Sequence, residues 1–182
     1  MPVQVTNSLS RKKEEFIPIE GKTVEMYTCG VTVYDRCHLG HARSLYVFDV
    51  IRRYLKFRGY DVRFVRNITD VDDKIIHKAM ETNRASAEVS EEQIRFYQED
   101  MKFLGIAPGD AEPKATEDIP AMIEHIQGLM AKGHAYAVDG DVYFDVRSFE
   151  GYGKLSGQSI DQMHEAVRIE KGTKKKDPLD FV

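Results

Sequence analysis

Two histidines and a cysteine in the first quarter of the 182-residue chain have types and spacing that could do chemistry. His38 and His41 are three residues apart where a long helix is predicted to begin, so they would share one face. At a helix start, unpaired backbone N–H groups and the helix dipole favour a phosphate, and imidazoles could stabilise charge on a reacting phosphorus atom. Gly40 between them lacks a Cβ atom, which would let a base or ribose approach the backbone. The segment therefore indicates a site for a phosphorylated ligand.

The same residues also have structural interpretations. Cys29 taken alone is more typical of a small buried side chain than of a metal ligand. The two histidines could instead be a helix cap and a surface residue. A self-contained zinc site formed by Cys29, Cys37, His38 and His41 would have a C-x₇-C-H-x₂-H spacing that matches no usual zinc knuckle. Cys37 is interpreted as structural.

Three aspartates, Asp70, Asp72 and Asp73, could suggest a Mg²⁺ site. They stand where a second helix is predicted to begin, and acidic side chains in a first turn are favoured by the helix dipole. We therefore predict that these carboxylates serve the helix start rather than a metal ion.

The elements that must position the histidines follow the order strand, helix, strand. A β-prone run at Thr23–Cys29 precedes an apolar-rich helical stretch at His38–Arg58, and Asp61–Arg66 alternates with the period of a strand. The helix is predicted to carry its narrow polar side at Arg52, Arg53 and Lys56. A βαβ order implies parallel pairing and fits a Rossmann-like half-domain, whose ligands lie at the carboxyl edge of the sheet. The predicted fold class is α/β.

Two more helices are predicted after the second strand, at Val71–Thr82 and Ser86–Leu104. Glycines and prolines within 105–115 mark a boundary. Thr116 is predicted to be the N-cap of a further helix. The chain beyond this boundary has the pattern of a small α+β insertion.

That insertion is predicted to contain a hairpin, with strands at 135–138 and 142–146 joined by the Asp139-Gly140 turn. Residues 151–176 are polar and turn-rich, and their lysine cluster, Lys174–Lys176, is predicted to be a solvated loop rather than an RNA contact. The opening residues, Val3–Glu20, have no sustained periodicity and are predicted to lie over the surface.

Composition excludes several classes of protein. Apolar residues make up 42% of the chain and the formal net charge is −4, which excludes a strongly basic nucleic-acid binder held by charge alone. No apolar run of roughly 18 residues could cross a membrane, and Met1–Phe16 does not have the pattern of a signal peptide. Two cysteines, Cys29 and Cys37, indicate reduced thiols rather than a disulfide framework. We therefore expect a cytoplasmic protein with no membrane partner.

Three segments carry a resemblance to a known family: residues 27–35 (YTCGVTVYD), 38–43 (HLGHAR) and 66–75 (RNITDVDDKI). The HLGH segment resembles the HIGH signature of class I aminoacyl-tRNA synthetases. Together the three segments closely resemble the amino-terminal half of the cysteinyl-tRNA synthetase family. Looser matches continue at 132–136 (KGHAY), 140–145 (GDVYFD) and 177–181 (DPLDF), so the resemblance covers essentially the whole chain.

The resemblance implies a zinc site of which Cys29 is one ligand. In the family, the zinc ion binds the thiolate of the substrate cysteine, which a serine hydroxyl cannot match. The other zinc ligands and the KMSKS loop of the family lie in the second half of its catalytic domain, outside this sequence. We therefore expect an amino-terminal fragment that is inactive alone.

The resemblance also implies binding residues, with His38 and His41 as the catalytic pair. ATP and the adenylate would be bound by Gly30, Thr32, His38, Gly40, His41 and Ser44. The cysteine moiety would be bound by Cys29, Thr32, Asn67 and Thr69. The implied reaction converts L-cysteine and ATP, with Mg²⁺, to cysteinyl-adenylate and pyrophosphate, and then transfers cysteine to tRNA(Cys). It needs positioning and electrostatic stabilisation rather than a protein nucleophile.

On this basis residues 1–112 are predicted to form the amino-terminal half of a Rossmann nucleotide-binding catalytic domain. Residues 113–176 would form the connective-peptide insertion, and 177–182 would begin the return to the catalytic domain. Two other functions stay open. One is the related cysteine ligase of mycothiol biosynthesis, which passes cysteine to an amino sugar, and the other is a non-catalytic nucleotide-binding module.

Overall fold

A computed structural model of the chain describes residues 2–160, 162–163 and 174–182. The chain divides into two compact units, Pro18–Ile119 and a second unit made of Met1–Ile17 with Pro120–Val182. The strands are β1 (Gln4–Asn7), β2 (Lys12–Glu15), β3 (Thr23–Thr28), β4 (Asp61–Arg66), β5 (Ala135–Val138) and β6 (Asp141–Phe144). The helices are α1 (Leu39–Phe57), α2 (Asp73–Thr82), α3 (Ser86–Phe103) and α4 (Ile119–Ala131), with a short 3₁₀ turn at Val146–Ser148.

The unit Pro18–Ile119 is built on a parallel strand pair. Strands β3 and β4 run side by side, with Thr23 opposite Asp61 and Thr28 opposite Arg66. Helix α1 forms the crossover between them. Because β4 alternates in burial along its length, one of its faces packs inside the unit. The predicted βαβ unit is confirmed.

Helix α1 buries charged residues as well as apolar ones. Leu45 and Leu55 are buried, and so are Asp49 and Arg52. The Arg52 guanidinium donates to the backbone oxygen of Pro108 at 2.6 Å and pairs with a carboxylate of Asp110 at 2.6 Å. The prediction that Arg52 lies on an exposed polar side is therefore wrong, because these partners compensate its burial.

Helices α2 and α3 pack on each other and close the hydrophobic core. Segment 105–115 then runs beside β4, where isolated parallel bridges join Val65 to Ala111 and Ile68 to Lys114. The buried members of the core are Val31, Val33, Leu45, Ile68, Ile75, Ala79, Val89, Ile94, Tyr97, Met101 and Ile106. Much of the core is therefore supplied by residues that follow the strand pair.

The predicted N-cap role of Thr116 is wrong, because α4 begins later, at Ile119. Both the backbone N–H and the hydroxyl of Thr116 donate instead to the buried Asp70 carboxylate, at 3.0 Å and 2.5 Å. These two bonds join the residues that precede α4 to the residues that precede α2.

The second unit contains two antiparallel hairpins. The predicted hairpin of β5 and β6 is confirmed, with its turn at Asp139 and Gly140, whose φ angles of 50° and 94° suit a tight two-residue turn. A second hairpin, β1 with β2, falls within the opening residues for which no regular structure was predicted. The buried Asp180 carboxylate accepts from the hydroxyl of Tyr136 at 2.6 Å and from the N–H of Val146 at 3.0 Å.

Part of the predicted polar segment 151–176 lies outside the described residues, namely 161 and 164–173. Within its described end, Lys174 pairs with Asp139 at 2.9 Å, and the ammonium of Lys176 lies 4.1 Å from the ring centre of Tyr136. The three-part domain division at 112 and 176 stays a prediction. Among the described residues, no helix has the length and apolar character needed to cross a membrane.

Candidate active site

Strand β3 ends at Thr28, and residues 29–31, here called the Cys29 loop, have no regular structure. The Cys29 side chain is exposed in this loop. The next residue, Gly30, donates its backbone N–H to Oδ1 of Asn67 at 2.8 Å. A Cβ atom on Gly30 would lie 1.5 Å from the backbone oxygen of Asn67, so only glycine fits at this approach of the two chains. The Cys29 loop is therefore held against the residue that follows β4.

Two threonines continue the strand pairing past the regular ends of β3 and β4. Thr32 and Thr69 form an isolated parallel bridge. The N–H of Thr69 donates to the backbone oxygen of Val31 at 3.1 Å, and the N–H of Val33 donates to the backbone oxygen of Thr69 at 3.2 Å. Both threonines are half-buried. The structure thus brings Gly30 and Thr32, predicted for the adenylate, next to Asn67 and Thr69, predicted for the cysteine.

His38 is the N-cap of α1, with extended backbone angles (φ −101°, ψ 169°). Its Nδ1 accepts from the backbone N–H of Gly40 at 2.9 Å, so the neutral ring carries its proton on Nε2. A Cβ atom on Gly40 would lie 2.6 Å from Cε1 of His38. The space that the glycine leaves is filled by the imidazole of its neighbour.

Three backbone N–H groups at the start of α1 are already bonded. Those of His41 and Ala42 donate to the backbone oxygen of His38 at 3.0 Å and 3.2 Å, while that of Gly40 is taken by the His38 ring. These three N–H groups are therefore not available to a phosphate, contrary to the sequence prediction, and the imidazoles remain as side-chain donors at this helix start.

The rings of His38 and His41 are stacked, with centroids 3.9 Å apart and planes inclined by 24°. Burial lowers the pKa of His41, and the neighbouring charges of His38 and Lys74 lower it further. Its Nδ1 is buried and has no hydrogen-bond partner among the described residues. His41 is consequently held neutral at neutral pH, with one ring nitrogen uncommitted.

Ser44 follows His41 by three residues on α1 and is exposed. Its predicted place on the adenylate side stays a prediction. Cys37 is half-buried and packs against the hydrophobic core, as predicted. Burial, followed by the charge of Asp100, raises the pKa of the Cys37 thiol. The reactive thiolate is therefore disfavoured at Cys37.

Metal ligation at this site is limited by its donor set. Among the described residues, no group of three or more His, Cys, Asp or Glu side chains could hold a metal ion. Cys29 is exposed and would fit one of the four positions of a zinc ion. The described residues could thus supply one ligand of a zinc site, but not a complete set of ligands.

The three aspartates after β4 have separate structural partners. Asp72 is the N-cap of α2, and its Oδ1 accepts from the N–H of Lys74 at 2.9 Å. Asp73 is the acidic residue of the first turn. These two confirm the predicted helix-start role, whereas the carboxylate of Asp70 binds Thr116.

Sequence reasoning missed two residues of the site. The hydroxyl of Tyr27 donates to Oδ1 of Asn67 at 3.0 Å, although its ring is largely exposed. Lys74, in the first turn of α2, lies with its ammonium 5.3 Å from the ring centre of Tyr34. The sequence pointed to these two residues only in that they lie in segments 27–35 and 66–75, which also contain predicted binding residues.

Comparisons with known proteins place the chain among synthetases. Residues 15–182 match the family described as "tRNA synthetases class I (C) catalytic domain". A cysteine–tRNA ligase of Maridesulfovibrio salexigens is 56% identical over 180 residues, which are 98% of this chain and 37% of that protein. One of Persephonella marina is 54% identical over 181 residues, which are 100% of this chain and 37% of that protein. The chain thus spans a little over a third of the length of these relatives.

A solved structure of methionyl-tRNA synthetase from Mycobacterium tuberculosis, in complex with methionyl-adenylate, superimposes with a TM-score of 0.60. The two proteins are 23% identical, and the match covers 64% of this chain and 23% of the other. This likeness shows the fold, and it agrees with the α/β class and the Rossmann-like half-domain that the βαβ order predicted.

Proposed function

The chain belongs to the family of class I (C) tRNA synthetase catalytic domains, and from this premise we propose that it carries part of a site that activates L-cysteine with ATP. The observation that carries the proposal is the stacked pair of His38 and His41 at the start of the crossover helix. This helix start follows the strand whose end presents Cys29. Ligands of parallel α/β sheets lie at that edge.

In the proposed reaction, a carboxylate oxygen of cysteine attacks the α-phosphorus of ATP, which enters with Mg²⁺. A new P–O bond forms, the bond to the β-phosphate oxygen breaks, and pyrophosphate leaves. His38 would donate from Nε2 to a phosphate oxygen, because its Nδ1 is committed to Gly40. His41 would lie beside it as a neutral partner. Both act by stabilising charge that develops in the transition state.

The two ends of the adenylate would meet different residues. On the nucleotide side we place Gly30, Thr32, Gly40 and Ser44, and on the cysteine side Thr32, Asn67 and Thr69. Cys29 would be a ligand of a zinc ion that, when bound, selects a thiolate over a hydroxyl. Transfer of the cysteine to tRNA(Cys) would follow, in the cytoplasm. The names of the relatives favour this acceptor over an amino sugar.

The proposal is tested by joining residues 1–182 to the remaining part of the Maridesulfovibrio salexigens relative. We expect the chimera to catalyse cysteine-dependent ATP–pyrophosphate exchange, whereas residues 1–182 alone do not. In the chimera, His41→Ala should lower kcat by roughly 100-fold and leave the KM for cysteine within about threefold. His125→Ala, at an exposed histidine of α4, is the matched control.

Three results would contradict the proposal: an inactive chimera beside an active relative, clear exchange by residues 1–182 alone, or equal effects of the two histidine substitutions.

A further inference from the structure

The residue after β4, Asn67, makes more hydrogen bonds within the protein than a free ligand of a substrate would. Its Oδ1 accepts from the N–H of Gly30 at 2.8 Å and from the hydroxyl of Tyr27 at 3.0 Å. Its Nδ2 donates to Oγ1 of Thr69 at 3.2 Å. These bonds use both lone pairs of the amide oxygen and one of the two amide N–H groups.

The bonds of Asn67 converge on the Cys29 loop. Tyr27 precedes the cysteine by two residues and Gly30 follows it directly, so the amide oxygen binds the chain on both sides of the thiol. Thr69 is itself paired with the backbone of Val31 and Val33. A single side chain therefore joins the Cys29 loop to both strand ends.

The backbone makes the same approach tight. Because a Cβ atom at Gly30 would lie 1.5 Å from the backbone oxygen of Asn67, the two chains touch at this point. The Cys29 side chain, by contrast, is exposed. Its direction therefore depends on the backbone of the Cys29 loop, and a metal or substrate ligand needs its position fixed to within about 0.5 Å and its direction to within about 20°.

We propose that Asn67, with Tyr27, is a positioning pair that fixes the direction of the Cys29 thiol. The pair acts through the Cys29 loop: the Asn67 oxygen is committed to this loop, so only the second amide N–H of Asn67 is left to meet the cysteine substrate. The inference rests on the proposed function for the purpose of that thiol, but the contacts stand without it. It assigns a role to Tyr27 and gives Asn67 a more specific one.

The pair is tested first in the 182-residue chain, without substrates. Asn67→Ala should speed hydrogen exchange of the Gly30 amide by about tenfold or more, because this amide loses one hydrogen bond. The Ile75 amide in the core is the reference. Asn67→Asp keeps an accepting oxygen and should restore slow exchange. Tyr27→Phe should have a smaller effect on this amide, because the Gly30 bond remains.

The thiol gives a second readout that a merely structural role would not move. In the same variants the alkylation rate of Cys29 by iodoacetamide is compared with that of Cys37. We expect the ratio to change by about threefold or more in Asn67→Ala and in Tyr27→Phe. Tyr46→Phe, at another exposed tyrosine, should leave it unchanged.

An unchanged Gly30 exchange rate in Asn67→Ala, or an unchanged alkylation ratio, overturns the positioning pair. A third readout uses the active chimera, in which Asn67→Ala should raise the KM for cysteine by about tenfold and leave the KM for ATP within twofold. If the chimera is inactive, the proposed function fails, while exchange and alkylation still decide the positioning pair.

Discussion

At the scale of single residues, the structure separates two histidines that look alike in the sequence. His38 caps its own helix and uses Nδ1 to do so, whereas the Nδ1 of His41 is buried and has no hydrogen-bond partner in the part of the chain that the structure describes. The pKa of His41 is lowered by burial first, and then by the charges of His38 and Lys74. Lys74, on α2, is thus a residue outside this helix whose charge lowers the pKa of the His41 ring.

Replacing Lys74 by methionine is therefore expected to raise the pKa of His41 relative to the parent chain, because a positive charge that opposes protonation is removed. An NMR titration of the His41 ring measures this shift. Lys78→Met is the matched control, since Lys78 lies on the same helix and pairs with Asp35 at 3.6 Å. An equal shift in both variants, or none in Lys74→Met, would contradict the assignment.

The sign of the associated stability change is set by the same shift. In the folded chain His41 has a pKa below its unfolded value of about 6.5, so the unfolded state binds the proton more readily. The contribution of His41 to the free energy of unfolding is present above that value and decreases as the pH falls below it. Lys74→Met should make this decrease smaller.

At the scale of elements, the sequence predicted the strands and helices of the unit Pro18–Ile119, but not the β1–β2 hairpin and not which charges the elements bury. The alternation of β4 places Arg66 on the same face as Val62 and Phe64, and all three are buried. The residue type argues for exposure, and the partner that resolves the conflict is Glu112, 46 positions later. Because such a contact is set by tertiary packing, no local pattern reveals it.

Glu112 pairs with the Arg66 guanidinium at 2.6 Å, and the side chain of Arg66 is 2% exposed. Its substitution by alanine would leave the buried cation uncompensated. We expect Glu112→Ala to lower the free energy of unfolding by about 3–5 kcal/mol, measured by urea unfolding. The side chain of Glu117 is 65% exposed beside Lys114. Glu117→Ala should therefore lower the free energy of unfolding by under about 1 kcal/mol. Equal costs for the two glutamates would show that the Arg66 pair does not stabilise the unit.

At the scale of the whole chain, the sequence predicted the order of the elements around the site, but not the side-chain hydrogen bonds within the site. The βαβ order and the helix start at His38 follow from hydrophobic periodicity and motif. The bond from Tyr27 to Asn67 joins residues 40 positions apart through a phenol hydroxyl, and nothing in either local pattern predicts it. The length of the relatives adds a consequence for metal binding, since the chain spans 37% of the two compared.

The last prediction concerns zinc and the chain as a whole. Four protein or substrate ligands complete a zinc site, and the described residues place one thiol, Cys29, at the end of β3 with no metal-holding group around it. We expect the 182-residue chain to keep much less than one zinc ion per chain after dialysis, by atomic absorption. Any weak binding at high zinc should fall in Cys29→Ser and persist in Cys37→Ser, because Cys37 packs against the core. One tightly held zinc ion per chain would show that the ligands come from within these 182 residues, and the proposed division of the site would then be wrong.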